Sequence, residues 1–169
     1  FHHAFAGETI PSLHAALRVA VATGDAGELA RVRQALELYR ANYSKTAGST
    51  AYLDFLDGRL TLGGDAARGR ALLEQAITEA EAARAEDVNA DLARSHAFKA
   101  LAFEAARRGA GAEVLGLLSR QARLPAPPAR CAVAVVAGDA LLVVARGAGG
   151  QDELELGTVR PPAGLDPAQ

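Results

Sequence analysis

The chain has one cysteine, no tryptophan and no methionine, and aromatic residues fill only 5% of its 169 positions. A lone cysteine, Cys131, excludes an internal disulfide framework and suits a reducing, cytoplasmic compartment. Half of the residues are hydrophobic, but Ala dominates them. Close-packed small-residue helices fit that composition better than a deep aromatic ligand pocket. No apolar run approaches the roughly 18 residues a membrane-crossing helix needs, so no membrane partner is expected. Lys and Arg number 18 against 20 Asp and Glu, a formal net charge of −2, with the cations scattered through the sequence. A basic stripe is therefore lacking, and no nucleic-acid partner is expected.

Position 1 is Phe1 rather than Met, which reads as a chain processed or cut from something larger. Ala15 to Thr23 has the apolar character of a signal peptide's central region. It lacks preceding basic residues and runs into Gly24-Asp25, so it reads as helix. Asn42-Tyr43-Ser44 matches a glycosylation sequon, which carries no meaning in a cytosolic chain.

Everything before Pro125 has helical periodicity. Thr9 can cap a first helix that tolerates Pro11 in its first turn and collects Leu13, Ala16, Leu17, Ala20 and Val21 on one face. After Gly24-Asp25 a second helix carries the stripe Leu29, Val32, Leu36, Tyr39 and Tyr43. Ser44 to Thr50 reads as a loop. A third helix turns Tyr52, Leu53, Leu56 and Leu60 inward, and Gly63-Gly64-Asp65 breaks it. A fourth repeats the stripe with Leu73, Ala76, Ile77 and Ala80. Helix five, Asp87 to Arg108, holds Leu92, Phe98, Leu101 and Phe103, and helix six follows Gly109-Ala110-Gly111 with Val114, Leu115 and Leu118. Gly24-Asp25-Ala26 recurs as Gly64-Asp65-Ala66. Beyond those turns Ala30, Val32, Gln34, Ala35 and Leu36 match Ala71, Leu73, Gln75, Ala76 and Ile77. Paired helices that repeat in this way bury their faces by stacking, which predicts an α-solenoid.

Candidate chemistry is thin. His2 and His3 lie at the terminus, while His14 and His96 stand singly on predicted helices with no paired-ligand spacing. They read as surface or packing histidines, with no metal or cofactor expected. Cys131 would need a nearby His to act as a nucleophile, yet it opens an apolar strand and no His follows His96. A structural Cys is expected. Gly147-Ala148-Gly149-Gly150 lacks the Lys and helix of a phosphate loop and reads as a turn. Glu74, Glu79, Glu81, Glu86 and Asp87 interleave with Arg70 and Arg84, as on a solvated helix face. No catalytic residue is assigned anywhere in the chain.

Architecture changes at Pro125. Cys131–Ala137 and Ala140–Ala145, split by Gly138-Asp139, form a predicted hairpin with a type II′ turn, and Leu154–Val159 is a third strand. The first two runs are apolar on successive residues, which predicts burial on both faces. Leu154, Leu156 and Thr158 alternate with Glu153, Glu155 and Gly157, giving the third strand one wet face. Such a piece cannot shelter itself, so the rest of its sheet is expected outside this sequence.

Two resemblances follow. The second helical unit resembles a tetratricopeptide repeat. Leu53, Leu56, Leu60, Gly69, Leu73 and Ala76 fall at that family's packing positions, although Asp57 stands where Gly is usual. The Pro-rich joint Leu124-Pro125-Ala126-Pro127-Pro128-Ala129-Arg130-Cys131, the Val-rich hairpin to Gly147 and the ending Thr158-Val159-Arg160-Pro161-Pro162 resemble the entry into a CHAT domain. That is the caspase-like, separase-related fold that follows tetratricopeptide repeats in bacterial proteins. The resemblance implies a mainly α chain with a C-terminal β portion. Residues 1–124 would be the repeat region, and 125–169 the linker and first strands of a caspase-like α/β domain. It also implies a cysteine endopeptidase, in which a His deprotonates a Cys thiol that attacks the scissile carbonyl. The family's His and Cys lie in later strands, so no residue here takes either role. The expected partners are the catalytic remainder of the same protein, as a separate chain left by zymogen cleavage, and a protein or peptide on the repeats. The rival expectation is a tetratricopeptide-like adaptor with no enzyme, binding peptide in a groove lined by helices one, three and five.

Overall fold

The computed structural model describes residues 10–43, 46–84, 86–124, 131–137, 140–147 and 151–158. They form six helices, α1 (Ile10–Thr23), α2 (Ala26–Tyr43), α3 (Ala47–Thr61), α4 (Ala66–Ala82), α5 (Val88–Arg107) and α6 (Gly111–Gln121). Three strands follow, β1 (Cys131–Ala137), β2 (Ala140–Arg146) and β3 (Asp152–Thr158). The protein is thus mainly helical with a small C-terminal antiparallel sheet. Its contacts divide it into two compact units, Phe1–Ala100 and Leu101–Gln169. The end of α5 and all of α6 group with the strands, upstream of the joint at Pro125. That joint lies outside the described residues, as do His2, His3 and Thr9.

In the first unit short polar side chains start α2, α3 and α4. The Glu28 amide donates to Asp25 Oδ1 at 2.9 Å, the Ser49 amide to Thr46 Oγ1 at 3.1 Å and the Arg68 amide to Asp65 Oδ1 at 3.0 Å. Thr46 therefore begins α3 inside the stretch expected to be loop from Ser44 to Thr50. Gly24 closes α1 in the left-handed region, at φ +66°, where a side chain would be strained. Most of the expected stripes are buried: Leu13 and Leu17 on α1, Val32 and Leu36 on α2, Leu53, Leu56 and Leu60 on α3, and Leu73, Ala76 and Ile77 on α4. The matched positions of the sequence repeat, Val32, Ala35 and Leu36 against Leu73, Ala76 and Ile77, are thus buried alike. Three expectations fail. Ala16 is exposed, Val21 is 40% exposed and Leu92 is 38% exposed, because Ile10 and Ala20 complete the α1 stripe and Ala93 and Ala97 face inward on α5.

Helices α3 and α4 pack most closely. A Cβ added at Gly69 would lie 2.6 Å from Leu62 Cα, and one at Gly58 would lie 2.9 Å from Leu73 Cγ. The α3 backbone can come this close at Gly69 only because that residue carries no side chain.

In the second unit the strand order is β1-β2-β3, all antiparallel. Ala137 pairs with Ala140, leaving the two-residue connection Gly138-Asp139, whose turn type lies outside the described residues. Cross-strand partners share a face. One face holds Cys131, Val133, Val135, Leu142, Val144, Arg146, Asp152, Leu154 and Leu156. Helix α6 packs on β2 and β3, and a Cβ at Gly111 would meet Asp152 Cβ at 2.5 Å, so this is the covered face. Val135, Leu142 and Val144 are buried there. The other face holds Ala132, Ala134 and Val136, all exposed, with Leu141, Val143 and Ala145 half-buried. Burial of β1 and β2 on both faces, expected from their unbroken apolar runs, is therefore not observed among the described residues.

The glycine contacts set an expected outcome. Gly69→Ala should destabilise the protein by about 1–3 kcal/mol, because the new methyl meets backbone. Gly116→Ala on α6, where a Cβ would meet nothing within 4 Å, should stabilise it by up to about 1 kcal/mol. Urea denaturation of both variants checks the pair.

Candidate functional site

Helices α1, α3 and α5 bring four rings together. His14 Nδ1 shares a 2.8 Å hydrogen bond with the Tyr52 hydroxyl, which donates when the imidazole carries its proton on Nε2. The His14 and His96 rings meet edge to face, with centroids 4.7 Å apart, and Phe55 stacks on His96 at 5.4 Å. Phe55 also meets His14 edge to face at 5.2 Å. Tyr52 and Phe55 are buried, whereas His14 and His96 are half-buried at the surface of the cluster. The two histidines that stand singly in the sequence are thus direct neighbours, and they do serve as packing residues.

Their environment disfavours a proton. Burial lowers the His14 imidazole to about 4, and the nearby His96, Arg18 and Arg59 add to the effect. Burial also lowers His96, with Lys99 and Arg18 contributing. Burial raises the Tyr52 phenol. Both imidazoles are therefore neutral near pH 7.

On the opposite side of α3, Asp54 is buried at 3% exposure. Arg40 of α2 forms an ion pair with it, and Gln75 Nε2 donates to Asp54 Oδ2 at 2.9 Å and to Glu79 Oε1 at 3.0 Å. Burial raises the Asp54 carboxyl, Arg40 pulls it back, and Glu79 pushes it up again. Glu79 Oε2 is itself buried and accepts no hydrogen bond. The residues read as one solvated acidic face therefore separate. Glu79 joins this buried pair and Asp87 caps α5 through the Asn89 amide at 3.0 Å. Glu81 reaches Arg94 at 3.3 Å, while Glu74 and Glu86 are exposed. A polar groove beside this pair is lined by Arg33, Arg40, Arg68, Glu37, Asp57 and Asp65, whose mixed signs favour no one ligand charge.

Cys131 lies half-buried at the start of β1, on the covered face and opposite Arg146. Its unit, Leu101–Gln169, contains no histidine, so no imidazole of that unit can activate the thiol. Arg146 is instead engaged by Asp152, with Nε donating to Oδ1 at 2.6 Å and Nη2 to Oδ2 at 2.9 Å. That pairing lowers the Asp152 carboxyl. The Gly147 amide donates to the Gln151 carbonyl at 3.2 Å, pairing the two ends of the β2–β3 connection. Residues 148–150 of the glycine-rich stretch lie outside the described residues. Among the described residues no cluster of three or more His, Cys, Asp or Glu could hold a metal ion, and no helix is long and apolar enough to cross a membrane. The chain matches no family model and no curated protein.

The depressed imidazoles make folding depend on pH. The unfolded chain binds protons near the ordinary histidine value, and the folded chain does so only near 4 at His14. Stability is therefore full above about pH 6.5 and is lost progressively as pH falls toward 4. His14→Phe, which keeps an aromatic ring in the cluster, should flatten the decline between about pH 6.5 and 5. Urea midpoints measured across that range decide it, and an unchanged slope would remove His14 from the account.

Proposed function

We propose that this chain is the non-catalytic, N-terminal part of a bacterial CHAT-type, caspase-like cysteine endopeptidase. Its helices form a tetratricopeptide-like solenoid arm that senses or recruits a partner. Its strands pair with, and complete, the sheet of the catalytic remainder. That remainder supplies the His and the nucleophilic Cys. Cys131 has a packing role only.

The observation that carries this reading is the one-sided cover of the sheet. Val136 is 49% exposed, and Ala132 and Ala134 are exposed beside it. Among the described residues β1 is an edge strand, and Cys131–Ala137 contains no charge and no proline to block further pairing. The other edge, β3, carries Glu153 and Glu155, which do discourage it. An apolar face and an unguarded edge on the same strand fit a sheet that continues in another segment.

The adaptor reading has its own support in the ring cluster, since it lies on helices one, three and five. The two readings differ at the sheet. In the whole gene product, Val136→Glu should lower thiol-dependent peptidase activity and labelling by a peptidyl chloromethyl ketone by at least about tenfold, given the cost of burying an unpaired charge. The circular dichroism melt of the helical unit should not change. A whole product with no labelled thiol, or full activity in the variant, would contradict the proposal and leave the adaptor.

A further inference from the structure

Among the described residues, the charged side chains that shift the His14 and His96 imidazoles are cations: Arg18 from α1, Arg59 from α3 and Lys99 from α5. The nearest acid of α3, Asp54, is turned away toward Arg40 and Gln75. Each cation follows a ring by one helical turn on its own helix: Arg18 after His14, Arg59 after Phe55 and Lys99 after His96. Three helices thus deliver four rings, two of them from α3, and one positive charge each. Arg18 is exposed, Arg59 and Lys99 are half-buried, and among the described residues neither Arg18 nor Lys99 forms an ion pair. This happens in a chain of net charge −2, so the patch is not a property of the bulk composition. On α5, Val88 and Leu92, two turns and one turn before His96, are 69% and 38% exposed.

We infer that this face of α1, α3 and α5 is a docking site for an acidic peptide segment of a protein partner. Its carboxylates would lie against Arg18, Arg59 and Lys99, and an apolar side chain between them would lie against Leu92 and the rim of the ring cluster. Charge complementarity selects the occupant. Three cations on one face suit a few carboxylates and are too few to track a nucleic-acid backbone. Binding is linked to protons. Burial is the main cause that keeps both imidazoles neutral and the cations add to it; an arriving carboxylate opposes the cations' part, so the complex takes up protons and tightens as pH falls toward about 5.5. The inference rests on the recruitment role proposed for the helical arm, and not on the protease assignment.

The test is fluorescence anisotropy of the whole chain with a short labelled peptide of alternating Glu and Leu. Its Gln–Leu counterpart and a single-stranded RNA oligonucleotide serve as controls. The acidic peptide should bind, weaken with added salt, and bind more tightly at pH 5.5 than at pH 7.5. Arg18→Glu combined with Lys99→Glu should weaken it by at least about tenfold, with the helical circular dichroism spectrum retained. His14→Phe should reduce the pH dependence, with the His96 contribution remaining. Three results would overturn the inference: no binding at low salt, equal binding of the Gln–Leu peptide or the charge-reversed variant, or tighter binding of the RNA. Peptide binding with no peptidase in the whole product would sink only the protease reading, and an active peptidase with no peptide binding would sink only this one.

Discussion

Helix α3 has water on almost none of its sides, and the rest of the helical unit is arranged to make that possible. Every residue from Ala51 to Leu56 is buried, a run no amphipathic surface helix could show. The enclosure depends on the approach of α3 and α4 at Gly58 and Gly69, where backbone meets backbone. Once α4 is that close, Leu53, Leu56, Leu73 and Ile77 are removed from water, at roughly 1.5–3 kcal/mol for each large side chain. Two consequences follow for the polar residues of α3. Asp54 is carried inside and must be met by Arg40 and Gln75, and Tyr52 must find a partner for its hydroxyl, which His14 provides.

The sheet obeys the same rule and meets it only halfway. Helix α6 covers one face, where Leu142 and Val144 reach zero exposure, while Ala132, Ala134 and Val136 on the reverse stay wet. Small alanines make that bare face tolerable in water, but they add nothing that favours exposure. The contrast between an over-enclosed helix and a half-covered sheet separates two physical roles. One unit encloses its apolar side chains, and the other leaves Ala132, Ala134 and Val136 exposed.

Much of the helical architecture was legible in the sequence because turns and stripes are local. Gly24, Gly64 and Gly109 mark real helix boundaries, and the Leu73–Ala76–Ile77 stripe is core. What failed was whatever depends on neighbours distant in sequence. His14 and His96 sit in the first and fifth helices, and no local pattern says that their rings touch. Glu79 looked like one acid among several until α3 set Asp54 beside it. Val21 and Leu92 have the right periodicity, yet alanines took the inward positions because the helices lie close. An unbroken apolar strand likewise carries no sign of whether one face or both will be covered. The sheet resolved that only through its register and the position of α6. A coincidence of Arg18, Arg59 and Lys99 on one face could have been suspected from their one-turn spacing after each ring, had the three helices been aligned by their repeat.

Hydrogen exchange read by mass spectrometry on the isolated chain addresses the central claim, that the sheet lacks a covering it is built to receive. The account predicts that amides of β1 and β2 exchange orders of magnitude faster than those of α3 and α4. On the proposed reading, they become protected once a further segment covers the sheet. Protection of β1 in the isolated monomer equal to that of α3 would contradict it, because a sheet that stable alone needs no further strand or cover.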